Sequence, residues 1–344
     1  MTETRKNGNK VNGQQLPNVL GIALPDQKIP TFELGPGTTG AKQALSSVSV
    51  TSVRTEVPSD AHTAPYLGIE REGNAVLINS DGLILTIGYL LLESHTVWVL
   101  AGDGGWVGAD FVGYDFESGF GLARAREPLN LTPISIGDSA NLQEGSQVTV
   151  AAHGGQEHVI NATIIARREF AGYWEYLLDN AIFTAPAHPN WSGAALIGED
   201  GLLHGIGSLL IDDAEIGATG MKGNMFVPTE LLKPILDDLL SAGRVHGPAR
   251  PWLGMFTAET QTGLVVVHLT PEGPAHRSGL AREDVILRID GEPINDLAHM
   301  YRKMWSLGAA GTVIPLTVMR DTVGVEVTVK SASRYDYFRT PRSK

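Results

Sequence analysis

A mainly β body followed by a smaller mixed α+β domain is the fold this 344-residue chain predicts. Three observations carry that expectation. From Ser46 onward, short β-rich runs follow one another with turn signals between them and no helix-period pattern, as in a sandwich or barrel. One amphipathic stretch then closes the body. Beyond a Gly- and Pro-rich connection, strands flank two short helical stretches, which marks a second core.

Residues 1–40 are rich in Gly, Asn, Gln, Thr and Pro and end in GPGTTG, a composition that predicts a mobile arm. The body is expected over 41–246. Its strands are read from SVSVTSV, AVLIN, LILTI, TVWVL, VTVAA and VINATIIA. NSDG at 79–82, GDGG at 102–105 and GDS at 137–139 supply the turns. A helix is expected over 229–245, with Leu231, Leu232, Ile235, Leu236, Leu239 and Leu240 on its apolar face and Gly243 as its stop. GPARP at 247–251 reads as the linker. The second domain, 250–331, combines GLVVVHL, DVILRID, VIPLTVMR and VEVTVKS with helical PAHRSG and LAHMYRKMWSLG. Residues 332–344 read as a basic tail with a solvated end.

Composition removes several functions. The chain has no Cys, which excludes disulfide scaffolds, thiolate metal sites and a cysteine nucleophile. With 26 Lys+Arg against 38 Asp+Glu, the net charge of −12 gives no general attraction for nucleic acid or anionic lipid. No apolar run reaches the roughly 18 residues of a membrane helix. No cofactor or metal is expected. His153 and His158 flank a Gly-Gly loop without a third ligand nearby, and GDGG lacks the Lys-Ser/Thr of a phosphate loop. Trp98, Trp106 and Trp174 are assigned to core or interface. The N-terminus lacks an apolar segment behind its basic residues, so as written the chain reads as cytoplasmic.

In the second domain, Ser278-Gly279-Leu280, then DVIL at 284–287 and IDGEPI at 289–294, resemble the core of PDZ domains. Trp252, Leu253, Gly254 and Met255 fall where that family keeps its carboxylate-binding loop. Successive backbone N–H groups in such a turn form an anion nest, and the strand behind it accepts an extended peptide. The resemblance therefore implies peptides or protein C-termini as partners, with an apolar first pocket lined by Leu253 and the LAHMYRKMW helix.

The body carries NSDGLILT at 79–86, IGDS at 136–139 and SGAAL at 192–196. Glu199-Asp200-Gly201, Leu203 with Gly205-Ile206, and Phe226-Val227-Pro228 follow in order. Together with a PDZ domain behind them, these resemble the HtrA/Deg family of trypsin-like serine proteases. The resemblance implies a chymotrypsin-like double β-barrel, a homo-oligomer (a trimer in the family), and work in envelope protein quality control. The family is mostly periplasmic, against the cytoplasmic reading of this N-terminus.

Carried over residue by residue, the family's nucleophile falls on Ser192. Its general-base His falls on Tyr89, and its Asp on Gly119, or on Phe120 or Gly121 with one residue inserted. The oxyanion turn falls on Asn190, Trp191 and Ser192. A serine hydroxyl needs an adjacent base. A phenol of pKa near 10 is a poor one, and glycine orients nothing. His188 lies on the serine's own loop and His95 on the solvent side of a turn, so both read as packing or surface histidines. Asp115 and Glu117, near the lost Asp, have no His to orient. The first reading is a protease homologue without proteolysis, retaining a peptide-binding or assembly role. The alternative is an active serine endopeptidase in protein quality control using Ser192 with another base. A third is a PDZ adaptor on an inert barrel.

Overall fold

The computed structural model describes residues 10–11, 14–15, 49–212 and 221–340. Strands β1 (Lys10–Val11) and β2 (Gln14–Gln15) make a short antiparallel pair. The rest of the arm expected over 1–40 lies outside the described residues, as do 341–344 of the tail.

The body is two closed six-stranded barrels. The first comprises β3 (Val50–Glu56), β4 (Glu70–Leu77), β5 (Leu83–Ile87), β6 (Thr96–Leu100), β7 (Trp106–Tyr114) and β8 (Phe120–Ala125). They close in the order β3-β4-β5-β8-β7-β6, all antiparallel, and the GDGG turn joins β6 to β7. Alternate side chains point inward, so Val53, Ile84, Leu122 and Phe120 meet in a buried interior. A four-residue helix, α1 (Ala64–Leu67), interrupts the β3–β4 connection.

The second barrel comprises β9 (Gln147–Ala151), β10 (Val159–Gly172), β11 (Tyr176–Ala185), β12 (Ala195–Gly198), β13 (Leu203–Ile211) and β14 (Gly223–Pro228). Its order is β10-β11-β14-β13-β12-β9. Phe170, Phe183 and Ile206 extend the core shared with the first barrel, and Val150, Ile164 and Phe226 form a second cluster. Closure leaves no unpaired strand edge, which is why short, turn-separated strands suffice. This is the mainly β double barrel the resemblance implies.

The helix expected over 229–245 forms only in part. Residues Thr229–Leu231 make a 3-10 turn, and α2 (Leu236–Ala242) starts seven residues later than the sequence pattern suggests. Pro234 explains the break, since it lacks an N–H and disfavours helical geometry at Lys233. Gly243 ends the helix as expected, with φ +71° and its N–H on the Leu239 carbonyl, 3.1 Å.

The second domain is a sheet in the order β15 (Met255–Thr260), β16 (Gly263–Leu269), β17 (Val285–Ile289), β19 (Val313–Arg320), β20 (Val323–Lys330), with β18 (Glu292–Pro293) beside β17. Helices α3 (Pro274–Arg277) and α4 (Leu297–Ser306) cover it. Asp296 caps α4 by accepting the His299 N–H at 2.7 Å, and Leu297, Met300, Tyr301 and Met304 form its buried face.

Trp106, assigned to core or interface, lies at the surface of the chain, with the Arg54 guanidinium 5.0 Å above its ring. One reading needs correction. The described part of the tail, 332–340, is not a solvated end: it folds as α5 (Arg334–Tyr337), capped by Ser333, and packs between the domains. Tyr335 and Phe338 meet Phe116 of the first barrel, with centroids 4.8 and 5.7 Å away, and Trp252 meets Tyr337 at 4.7 Å. Arg339 then pairs with Asp60 at 2.9 Å. The aromatic residues interleaved with the basic ones supply the apolar contact that charge counting overlooks.

The two barrels meet at the turn that precedes β12. Gly193, at φ +74°, donates its N–H to the Gly207 carbonyl at 2.8 Å, and a Cβ there would lie 1.9 Å from the Asn74 carbonyl oxygen. Left-handed backbone and a backbone clash coincide. We expect Gly193→Ala to lower stability by about 2–4 kcal/mol in chemical denaturation. An unchanged midpoint would show that the turn is not packed this way.

Candidate active site and peptide groove

Ser192 lies at the junction of the barrels, in the turn between β11 and β12. Across from it, a 3-10 turn after β5 (Gly88–Leu90) carries Tyr89. The β5–β8 register pairs Ile87 with Phe120, and the Gly88 N–H donates to the Gly119 carbonyl at 2.7 Å. Tyr89 Oη stands 2.8 Å from Ser192 Oγ and 3.0 Å from the Ser208 carbonyl of β13. A hydroxyl has one proton to give. A carbonyl can only accept, so when Tyr89 donates to Ser208 the serine hydroxyl must donate to Tyr89. Burial pushes the phenol pKa well up, and the Ser192 contact offsets this only in part. Tyr89 is thus a neutral phenol touching the serine, with no capacity to take its proton near neutral pH.

Gly119 sits beside this turn but holds no side chain toward it. Its φ is +85°, and an added Cβ would lie 3.2 Å from Tyr176 Oη, which already donates to the Ser118 carbonyl at 2.6 Å. Phe120 is fully buried in the first barrel's core and Gly121 pairs with Thr86. Asp115 is buried and spent locally: its carboxylate accepts the Ser118 N–H and hydroxyl, at 2.7 and 2.6 Å. Glu117 pairs with Arg250 at 2.8 Å, and His95 is exposed, facing Glu56.

His188 turns out to shape the serine's loop. It is fully buried. Its Nδ1 accepts the Asn190 N–H at 3.0 Å, so the ring proton is on Nε2, which faces the His158 carbonyl at 3.1 Å. Burial holds its pKa down at about 4. In trypsin-like chemistry the N–H two residues before the serine helps bind the oxyanion. Here that N–H, from Asn190, points at an imidazole nitrogen. Asn74 fixes the other side: its amide nitrogen donates to the Asn190 and Ser192 carbonyls at 2.9 Å each, and its oxygen accepts the His153 N–H at 2.8 Å. Trp191 is half-buried, and its carbonyl accepts the Ala194 N–H at 3.0 Å.

The second candidate region is the loop entering β15. The N–H groups of Leu253, Gly254 and Met255 converge at 3.0, 2.7 and 3.0 Å on one carboxylate, that of Glu175. Glu175 belongs to the tip of the β10–β11 hairpin of the second barrel and is 3% exposed. Burial pushes its pKa up, while Arg334 and the three N–H groups oppose that shift. The rest of the tip runs between β15 and α4. Thr257 N–H donates to the Tyr173 carbonyl at 2.9 Å, and Tyr301 Oη donates to the Gly172 carbonyl at 2.7 Å while accepting the Glu175 N–H at 3.1 Å. Arg334 donates to the Trp174 and Glu175 carbonyls. The apolar floor expected from Leu253 and α4 is present and buried, with Ala171 and Leu177 of the hairpin packed into it.

Similarity agrees with this geometry. A trypsin-like peptidase domain matches residues 73–206, and a PDZ domain matches 251–331. The chain thus carries a trypsin-like peptidase domain with a PDZ domain behind it, and it is similar to proteases of the HtrA/Deg type. Among HtrA/Deg relatives, it is 27% identical over 277 residues to a probable periplasmic serine endoprotease DegP-like of Pseudomonas fulva, covering 76% of this chain and 55% of that one. The periplasmic pH-dependent serine endoprotease DegQ of Escherichia coli is 26% identical over 285 residues, covering 78% and 60%. The chain thus spans a little over half the length of these relatives. The HtrA-type protease AlgW, solved with a decapeptide, shares the fold, with a TM-score of 0.50 and 22% identity over 87% of this chain and 99% of AlgW.

Glu175, Asn74 and Ser208 went unread in the sequence, as did the hold of His188, read as a packing or surface histidine, on the Asn190 N–H. The signal for Glu175 was an acid in an aromatic hairpin tip, Tyr173-Trp174-Glu175-Tyr176, of which only Trp174 was marked as an interface residue. Among the described residues no cluster of three or more His, Asp or Glu could hold a metal, and no helix is long and apolar enough to cross a membrane.

His188 gives a pH dependence with a definite sign. Between about 6.5 and 4 the unfolded chain binds a proton that the folded one refuses. Stability from this group is therefore complete above about 6.5 and is lost as pH falls toward 4. Urea denaturation should show about 2–3 kcal/mol lost through this residue between pH 7 and pH 4.5, by linkage. His188→Gln should flatten that slope; an identical slope in the variant would refute the assignment.

Proposed function

We propose that this chain is an HtrA/Deg-type protease homologue without proteolytic activity, acting through its PDZ domain in peptide binding or assembly. The observation that carries the reading is the partner of Ser192. A neutral phenol stands at its Oγ, 2.8 Å away, where a base would be needed. Tyr89 and Gly119 are read as the replaced base and orienter. Ser192 is then a vestigial nucleophile, and the turn of Asn190, Trp191 and Ser192 a disarmed oxyanion site, because the Asn190 N–H is held by His188. Loss of triad members still leaves about 10³–10⁴-fold catalysis where an oxyanion hole persists; the engaged Asn190 N–H removes part of that remnant. Self-association, as a trimer by family resemblance, belongs to the same proposal, and so does binding at Trp252, Leu253, Gly254 and Met255.

The competing reading draws on the relatives, which are named as serine endoproteases. Fluorophosphonate labelling and casein cleavage by purified protein, beside Ser192→Ala, separate the two. We expect no Ser192-dependent signal; cleavage that vanishes in Ser192→Ala would establish the active enzyme. The double variant Tyr89→His, Gly119→Asp should not restore labelling. An Asp at 119 would need left-handed backbone and would press on Tyr176 Oη, and the Asn190 N–H would stay with His188. Labelling of the double variant would show that only the two side chains were missing.

A further inference from the structure

We infer that Glu175 is a resident intramolecular ligand of the PDZ carboxylate nest, so that a free C-terminal carboxylate binds only by displacing the β10–β11 hairpin tip. Three features of a docked peptide are reproduced by the chain itself. A carboxylate accepts the N–H groups of Leu253, Gly254 and Met255 within 3.0 Å. A main-chain carbonyl, that of Tyr173, pairs with the Thr257 N–H of the groove strand. The neighbouring Gly172 carbonyl meets Tyr301 of the groove helix. Two carboxylates cannot share these donors, because each N–H has one proton and like charges at van der Waals distance repel in a buried site. Docking of the tip and capture of a C-terminus are therefore mutually exclusive.

The competition is unequal by construction. Glu175 is covalently attached, so its effective concentration at the nest far exceeds that of a dilute peptide. Its hold is reinforced from outside the groove by Arg334, which grips the Trp174 and Glu175 carbonyls. Removing the carboxylate charge while keeping the side chain's shape should free the nest for a stronger anion. The expected ligand is a peptide with a free carboxylate behind an apolar last residue, given the buried Leu253 and the inner face of α4.

This inference rests on the peptide-binding part of the proposed function, and the test keeps the two apart. Fluorescence anisotropy of the full chain would use a labelled peptide ending in Val, as free acid and as amide, with wild type, Glu175→Gln and Glu175→Asp. Hydrogen exchange at residues 253–255 would be followed in parallel. We expect Glu175→Gln to bind the free acid about tenfold or more tighter than wild type, with the amide gaining by the same factor but staying the weaker ligand, since a charged hydrogen-bond acceptor is lost from the competitor alone. Glu175→Asp, whose carboxylate is one methylene shorter, should fall between, and serves if Glu175→Gln does not fold. Exchange at 253–255 should be slow in wild type and faster in both variants. Unchanged or weaker free-acid binding in a folded variant overturns the inference. If no peptide binds any variant, the peptide-binding reading fails, and exchange alone decides: faster exchange in the variants upholds Glu175 as the nest's ligand, and equal exchange overturns it.

Discussion

Burying the Glu175 carboxylate is tolerable only because three backbone N–H groups converge on it and a guanidinium stands behind its own peptide. A desolvated carboxylate without such partners would cost several kcal/mol. The consequences run outward from that contact. It fixes the hairpin tip in the groove of the second domain, which brings Tyr301 onto Gly172 and Tyr173 onto the strand β15. It also places the domain so that Trp252 can meet the C-terminal segment. The relative position of barrels and PDZ domain follows from one loop reading the other's anion site.

The crevice between the barrels obeys a different economy. Its polar groups are satisfied by one another: Asn74 by two carbonyls and an N–H, His188 by Asn190 and His158, Tyr89 by Ser192 and Ser208. A working hydrolase keeps some donors aimed at empty space, where charge will appear during reaction. Here the Asn190 N–H, a donor of that kind by position, is turned inward. Closed hydrogen bonding of this sort favours a rigid, single arrangement over a reactive one.

Much of this was legible in the chain. Short β-rich runs and turn signals foretold strands such as β5 and β6 at their observed limits, because strand-forming and turn residues are both local. The helices of the second domain were expected at PAHRSG and LAHMYRKMWSLG, where α3 and α4 form. Ser192 and Tyr89 were matched to the family's nucleophile and base positions by spacing within motifs, and the structure brings their hydroxyls to 2.8 Å. What escaped depends on contacts between distant segments. Glu175 meets its partners 78 to 80 residues away, and Asn74 reaches across 116 and 118. No window of sequence contains such pairs. The split of the helix at Pro234 was a local signal that the regular leucine spacing outweighed in the reading.

The path of the last described residues has a topological consequence. After β20 the chain does not leave the molecule but turns back, so that Tyr335 and Phe338 rest on Phe116 and Arg339 reaches Asp60 and Glu93 in the barrel where the described body begins. The second domain is thereby held to the barrels at two separated places, by the hairpin tip and by this returning strap, and is enclosed in a circuit of contacts rather than hung from a single hinge. Each half keeps a core of its own, yet each also leans on the other. Excising the domain at either boundary would strip apolar surface from both pieces at once, and melting of the intact chain would release both halves together, as one cooperative unit.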